Sequence, residues 1–78
     1  MPTVMRIGPY QFFFYSNEGS EPPHIHVRSG DGEAKFWLIP VELVWSKGYN
    51  QRQLTQIERH VHDNLSYLLE TWEGHFGD

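Results

Sequence analysis

The spacing of apolar residues changes once along this chain, near Asn50, and this change restricts the possible folds more than any other feature. Before it, apolar and polar residues alternate in short segments, as they do in half-buried strands. After it, apolar residues recur every three or four positions, which is helical spacing. A chain of 78 residues can build only one hydrophobic core. We therefore predict one α+β domain at residues 1–78, with a small antiparallel sheet at about 3–46 packed on one long C-terminal amphipathic helix at about 51–73.

Turn-forming residues divide the first half of the chain into four or five predicted strands. The runs between the turns are rich in aromatic and β-branched residues, which strands favour. The predicted strands cover residues 3–7, 10–15, 24–28, 33–39 and, as a short fifth strand, 42–45. Turns at Gly8-Pro9 and at residues 29–32 join the first four strands into two hairpins. Residues 16–23 form a surface loop, because they are turn formers that end in two prolines.

The register of the second hairpin follows from its apolar residues. Ile25 and Val27 must share one face with Ala34, Phe36 and Leu38 for the apolar sides of the two strands to coincide. A slip of one residue would turn every one of these side chains to the other face.

The same register places a set of polar and aromatic side chains on the outward face. His24 lies opposite Trp37, His26 lies opposite Lys35, and Arg28 lies further along the same strand. We expect these side chains to be exposed, and burial of the histidines would indicate a slipped register. The exposed indole of Trp37 would suit stacking or a protein interface, unless other segments cover it.

The helix has clear start and stop signals. Asn50 is a good N-cap, Gln53 completes a capping box three residues later, and Gly74 can end the helix. The apolar face of the helix comprises Leu54, Ile57, Val61, Leu65, Leu68 and Trp72. Glu58 and His62, four residues apart beside this face, form an ordinary stabilising pair.

His24 and His26 are the main candidates for chemistry, because residues two apart on a strand point the same way and can converge on one ion or substrate atom. They can act as acid and base near neutral pH, with Lys35 and Arg28 holding an anionic group. Glu21, just before the double proline, is expected to reach the first histidine. The plainer interpretation is that two surface histidines simply suit a polar sheet face.

A metal site is a weaker prediction for this cluster. The chain has no cysteine, so histidine and carboxylate are the only side-chain ligands available, and His24 and His26 would be the first of them. The positive charge of Lys35, opposite His26, makes it costly to place a metal ion there. We therefore predict no cofactor and keep a divalent metal ion as an alternative.

Composition excludes several classes of function. The net charge of −4, with six basic residues spread along the chain, argues against sequence-independent binding of nucleic acid, which needs clustered cations. We find neither a basic leader followed by an apolar stretch nor an apolar run of about 18 residues. Together with the lack of cysteine, this predicts a cytoplasmic protein that does not span a membrane.

The most distinctive segment is Pro-Pro-His-Ile-His-Val at residues 22–27. With Arg-Ile-Gly-Pro-Tyr at 6–10, Phe-Phe-Phe-Tyr-Ser-Asn-Glu-Gly at 12–19 and Ala-Lys-Phe-Trp-Leu at 34–38, it resembles a bacterial family known as domain of unknown function 4160. The resemblance extends to Leu-Glu-Thr-Trp at 69–72 and so covers nearly the whole chain. Gln11 and Ile39 depart from it, where a basic and an acidic residue are expected.

The resemblance implies a stand-alone small protein, often encoded next to another small protein in an arrangement similar to toxin–antitoxin modules. It implies no chemistry. Our first hypothesis is a binding or regulatory component that acts through a small protein partner or as a homodimer, with Arg28, Lys35, Trp37 and Glu21 as binding residues. The alternative is a small hydrolase or ribonuclease-like toxin that uses His24 and His26 as acid and base or as metal ligands.

Overall fold

The computed structural model describes residues 3–15 and 18–77, and it confirms the predicted α+β class. Five antiparallel strands form one sheet in the order β1-β2-β3-β4-β5, so each strand pairs with its neighbour in sequence. The elements are β1 Thr3–Ile7, β2 Tyr10–Phe13, β3 His24–Ser29, β4 Gly32–Leu38, β5 Val41–Lys47, α1 Gln51–Asp63 and α2 Leu65–Phe76. In the described part of the chain, neither helix is long and apolar enough to cross a membrane.

The predicted register of the second hairpin is confirmed. His24 pairs with Trp37, His26 with Lys35, and Ala34 lies opposite Val27. The first hairpin turns at Gly8 and Pro9, as the turn residues indicate. β5 is longer than the predicted fifth strand. The apolar alternation is interrupted within β5, at an irregularity in its pairing with β4, so the pattern indicated only part of the strand.

One face of the sheet and the helices enclose the main core. Phe12, Ile25 and Val27 are fully buried there, and Ile57 and Val61 of α1 close the core from the other side. α2 contributes Leu68 and Trp72 at the same helical spacing. Complete burial of a side chain of this size stabilises the fold by about 1.5–3 kcal/mol, so this layer supplies most of the hydrophobic stabilisation.

The prediction of one uninterrupted helix is only roughly correct, because the helix is divided at Asn64. This residue has φ −119° and ψ 21°, outside helical geometry. Its backbone N–H and its side-chain amide both donate to the carbonyl oxygen of His60. An asparagine side chain that competes for backbone partners in this way interrupts a helix. At the other end, α2 continues past Gly74 and is capped at Gly77.

The outward face of the sheet is covered by the loop between β2 and β3. We use the name β2–β3 loop for residues 18–23 of this segment; Ser16 and Asn17 of the predicted loop lie outside the described residues. Gly19 packs so closely on α2 that an added Cβ would lie 2.6 Å from Cδ1 of Phe76. The backbone N–H of Leu38 donates to the carbonyl oxygen of Pro23 over 3.0 Å. Both ends of the loop are therefore attached to the rest of the fold.

The capping box at the start of α1 provides a test of the predicted helix start. The Asn50 side chain accepts from the Gln53 backbone N–H over 2.8 Å, and the Gln53 side chain accepts from the Asn50 N–H. We expect Asn50→Ala to lower the free energy of unfolding by about 1 kcal/mol in urea denaturation, because it removes the cap acceptor. Asn50→Asp retains an acceptor oxygen and should stay close to wild type, so equal losses in both variants would contradict a capping role.

Candidate functional site

One carboxylate oxygen contacts both histidines of the His-x-His segment. Oε1 of Glu18 lies 2.8 Å from Nε2 of His24 and 2.7 Å from Nε2 of His26. The three ligand-type atoms lie within 4.8 Å of one another. We call Glu18, His24 and His26 the Glu-His-His cluster.

Local structure explains how the cluster forms. His24 and His26 alternate along β3 and so point to the face opposite the main core. Glu18 is brought back over that face because the β2–β3 loop turns sharply, with the N–H of Glu21 donating to the carbonyl oxygen of Glu18 over 3.1 Å. The carboxylate therefore comes from the loop and the imidazoles from the sheet.

The expectation that the histidines are exposed is wrong. His24 is 0% exposed and His26 is 2% exposed, although the register is as predicted. Phe13 stacks on the His26 ring at 5.5 Å between centroids, and Trp72 lies 4.9 Å from the His24 ring. Burial therefore comes from the β2–β3 loop, β2 and the far end of α2 rather than from a slipped register.

Hydrogen bonding determines the tautomer of His24. Nδ1 of His24 lies 2.9 Å from the carbonyl oxygen of Pro22, and a carbonyl oxygen can only accept, so Nδ1 carries a proton. Nε2 of His24 then either holds a second proton or directs a lone pair at the Glu18 carboxylate. A lone pair facing an anionic oxygen at 2.8 Å is repulsive. The cluster therefore requires one further positive charge, either a proton or a cation.

His26 is in a different state. Burial lowers the pKa of His26, although the Glu18 hydrogen bond and charge oppose this effect. A neutral His26 donates from Nε2 to Glu18, and its Nδ1 then has no hydrogen-bond partner among the described residues. The nearest carboxylate oxygen to Nδ1, Oε2 of Glu33, lies 3.9 Å away. A buried imidazole nitrogen is thus left without a partner.

Glu18 itself is held in its charged form. Burial alone would raise the pKa of the Glu18 carboxyl, but the hydrogen bonds from His24 and His26 outweigh burial and lower the pKa below its usual range. Sequence reasoning missed this residue and expected Glu21 at the first histidine. The sequence offers two acidic residues in an irregular loop, and no spacing rule decides between them.

Glu21 pairs with Lys35 instead. The Lys35 ammonium donates to Oε1 of Glu21, and it also lies 4.9 Å from the centroid of the Trp37 ring. Lys35 is buried, with 8% exposure, and Trp37 is half-buried beside His24. Three of the predicted binding residues therefore lie together next to the Glu-His-His cluster, but the charged groups of Lys35 and Glu21 are paired with each other.

Arg28, the fourth predicted binding residue, lies toward the other end of β3. Its guanidinium carbon is 4.8 Å from the centroid of the Phe13 ring. Nearby, the Tyr15 hydroxyl donates to Oε2 of Glu33 over 3.2 Å. Burial, followed by the charge of Glu33, raises the pKa of Tyr15. Arg28 and Lys35 thus do not converge on one anion.

The helix pair is an ordinary surface feature. Nε2 of His62 lies 3.8 Å from Oε2 of Glu58, and both side chains are more than half exposed. Shallow grooves border this part of α1 and the first hairpin. Neither groove includes a residue of the Glu-His-His cluster.

The ion pair beside the cluster predicts an asymmetry between two variants. Glu21→Gln leaves the buried Lys35 ammonium without a carboxylate, whereas Lys35→Met leaves Glu21, whose side chain is 37% exposed and can regain water. We expect Glu21→Gln to lower the free energy of unfolding by about 1–3 kcal/mol and Lys35→Met to lower it less. Urea denaturation of both variants at neutral pH measures the order, and the reverse order would contradict this account.

Comparison with known proteins gives one match. The family model described as domain of unknown function (DUF4160) matches residues 10–73, which include β2 to β5, α1 and most of α2. No match is found among curated proteins or among solved structures. Because the family model covers well over half of the chain, including the whole Glu-His-His cluster, this protein belongs to the DUF4160 family.

Proposed function

We propose that this protein is the binding component of a two-gene, toxin–antitoxin-like module and docks a small partner protein along the edge strand β5. The observation that carries the proposal is an apolar edge. β5 pairs with β4 on one side only, and no strand in the described part of the chain pairs with its other side. An edge strand of this kind offers backbone donors and acceptors to an added strand.

The side chains of β5 make this edge apolar. Three consecutive large residues, Leu43, Val44 and Trp45, are each 38–40% exposed. Ile39, in the turn before β5, is 66% exposed. Exposed single apolar residues are common on protein surfaces, but contiguous ones indicate an interaction site.

An irregularity in β5 directs these side chains to both faces of the sheet. Leu43 pairs with Phe36 and Trp45 pairs with Lys35, so Val44 is the extra residue of a bulge. Leu43 therefore lies on the helix-covered face, and Trp45 lies on the outward face. The centroids of the Trp45 and His26 rings are 6.1 Å apart. A partner strand along this edge would gain apolar contacts on two sides.

The net charge of the chain and the apolar side chains of β5 indicate what kind of partner would bind. The chain has a net charge of −4, which favours association with a basic protein through long-range attraction. The occupant we propose is an extended apolar segment of a small basic protein encoded next to this one. A second copy of this acidic chain would be repelled by the same charge.

The hydrolase or ribonuclease-like alternative has less support from the geometry. His24 and His26 are almost completely buried, and a general acid or base must come within hydrogen-bond reach of its substrate. Arg28 and Lys35 are engaged by Phe13 and Glu21 and do not form an anion site with the histidines. We therefore favour the binding role.

Co-expression with the adjacently encoded small protein tests the proposal. We expect the two proteins to elute together in gel filtration, and we expect Val44→Lys to weaken the complex at least about tenfold in isothermal titration calorimetry, which corresponds to about 1.4 kcal/mol. Ser66→Lys adds the same charge at an exposed position of α2 and should leave the affinity unchanged. A monomer that never co-elutes, a homodimer, or equal effects of both variants would contradict the proposal.

Hydrogen exchange locates the docking edge. The amides of Val41–Lys47 that point away from β4 should gain protection in the complex, because an added strand bonds to them, whereas those of Thr3–Ile7 on the opposite edge should not. Protection gained at β1 alone would place the partner on the wrong edge for this proposal.

A further inference from the structure

We infer that the Glu-His-His cluster is a divalent metal site, with Oε1 of Glu18 and Nε2 of both His24 and His26 as ligands to Zn²⁺. The set contains two imidazole nitrogens and one carboxylate oxygen, and this combination suits zinc and similar first-row metal ions. None of these three ligands belongs to the docking edge of β5, so the metal site goes beyond the proposed binding function.

The hydrogen bond from His24 to the backbone is the first argument for a metal. Metal-binding histidines usually donate their other ring N–H to a carbonyl or carboxylate, which orients the ring and sets the tautomer. Nδ1 of His24 donates in this way to the carbonyl oxygen of Pro22 over 2.9 Å. The lone pair of Nε2 is therefore directed at the centre of the cluster, where a cation would accept it.

The unpartnered nitrogen of His26 is the second argument. Without a metal, Nε2 of His26 donates to Glu18 and the buried Nδ1 has no partner in the described part of the chain. With a metal on Nε2, the proton moves to Nδ1, which lies 3.9 Å from Oε2 of Glu33. This distance is too long for a hydrogen bond, but a carboxylate attracts an N–H and repels a lone pair. Metal binding would thus give Nδ1 the form that the nearby carboxylate favours.

Charge balance is the third argument. The cluster needs one more positive charge, since the Glu18 carboxylate meets the lone pair of His24. A divalent ion supplies that charge, and Glu18 with the nearby Glu33 balances it. Lys35 would repel the ion, which weakened the metal prediction from sequence, but its ammonium is paired with Glu21. The Glu21 carboxylate therefore offsets part of this repulsion.

Metal binding would require all three ligands to shift. Zinc binds imidazole nitrogen and carboxylate oxygen at about 2.0–2.2 Å, so ligands of a tetrahedral site lie about 3.3 Å apart. Oε1 of Glu18 is 2.7–2.8 Å from the two nitrogens and would move away from them. The two imidazole nitrogens, which lie within 4.8 Å of each other, would have to come to the same spacing of about 3.3 Å. Three protein ligands leave a position for water or an anion. The metal would attach the β2–β3 loop to β3.

Zinc titration of the untagged, full-length protein tests the site. We expect one equivalent of Zn²⁺ to bind and to raise the melting temperature, because a ligand that binds only the folded state stabilises it. Glu18→Gln and His26→Gln should each weaken binding by at least about 100-fold. Glu58→Gln and His62→Gln make the same changes in the exposed helix pair and should bind like wild type.

A measurement on the wild-type protein guards against misfolding of the variants. Nitrogen-15 NMR should show both Nε2 atoms perturbed by Zn²⁺ while both Nδ1 atoms carry protons, and Co²⁺ should give visible absorption of a tetrahedral site. Absence of stoichiometric binding would overturn the inference. Binding that survives in Glu18→Gln and His26→Gln, or that is lost in the helix variants, would also overturn it.

Discussion

The contact of one carboxylate oxygen with two histidines joins the β2–β3 loop to the sheet, and the outward half of the structure depends on this contact. Oε1 of Glu18 approaches Nε2 of both His24 and His26, and aromatic rings shield the two imidazoles from solvent. Hydrogen bonds to a charged group in a low-dielectric environment are stronger than in water, and an unpaired charge there is costly. The loop must therefore keep Glu18 in place as long as the histidines remain buried.

This arrangement gives a short chain a second buried layer. The helices cover one face of the sheet with an apolar core, and the other face carries the Glu-His-His cluster, Phe13 and the Lys35–Glu21 pair. Small domains bury a limited fraction of their surface, so covering both faces increases the stabilisation available. α2 links the two layers, because Trp72 contacts both Phe14 of the core and His24 of the cluster. The edge of β5 is an apolar region that neither layer encloses.

The fold was largely readable from local patterns, whereas the surroundings of the site were not. Alternation predicted the pairing of His26 with Lys35, since a strand with one apolar face permits one register. The break at Asn64 was missed because apolar spacing continues through it, whereas the non-helical backbone of Asn64 and its side-chain bond to His60 leave no trace in that spacing. The burial of the histidines and the role of Glu18 depend on the path of an irregular loop, for which no periodicity exists. Periodic patterns report which face a side chain occupies but do not report what covers that face.

The proposed docking edge and the Glu-His-His cluster are neighbours, but different interactions hold them in place. Trp45 lies on the outward face near His26, so the indole borders both regions. The path of β5, however, is set by its pairing with β4, and Leu43 and Val44 depend on that pairing rather than on the cluster. Removing a metal ion would therefore loosen the β2–β3 loop and leave the backbone of the edge intact. A partner that still binds in the presence of a chelator would show that the edge acts alone, whereas loss of partner binding together with the metal would show that the two regions are coupled.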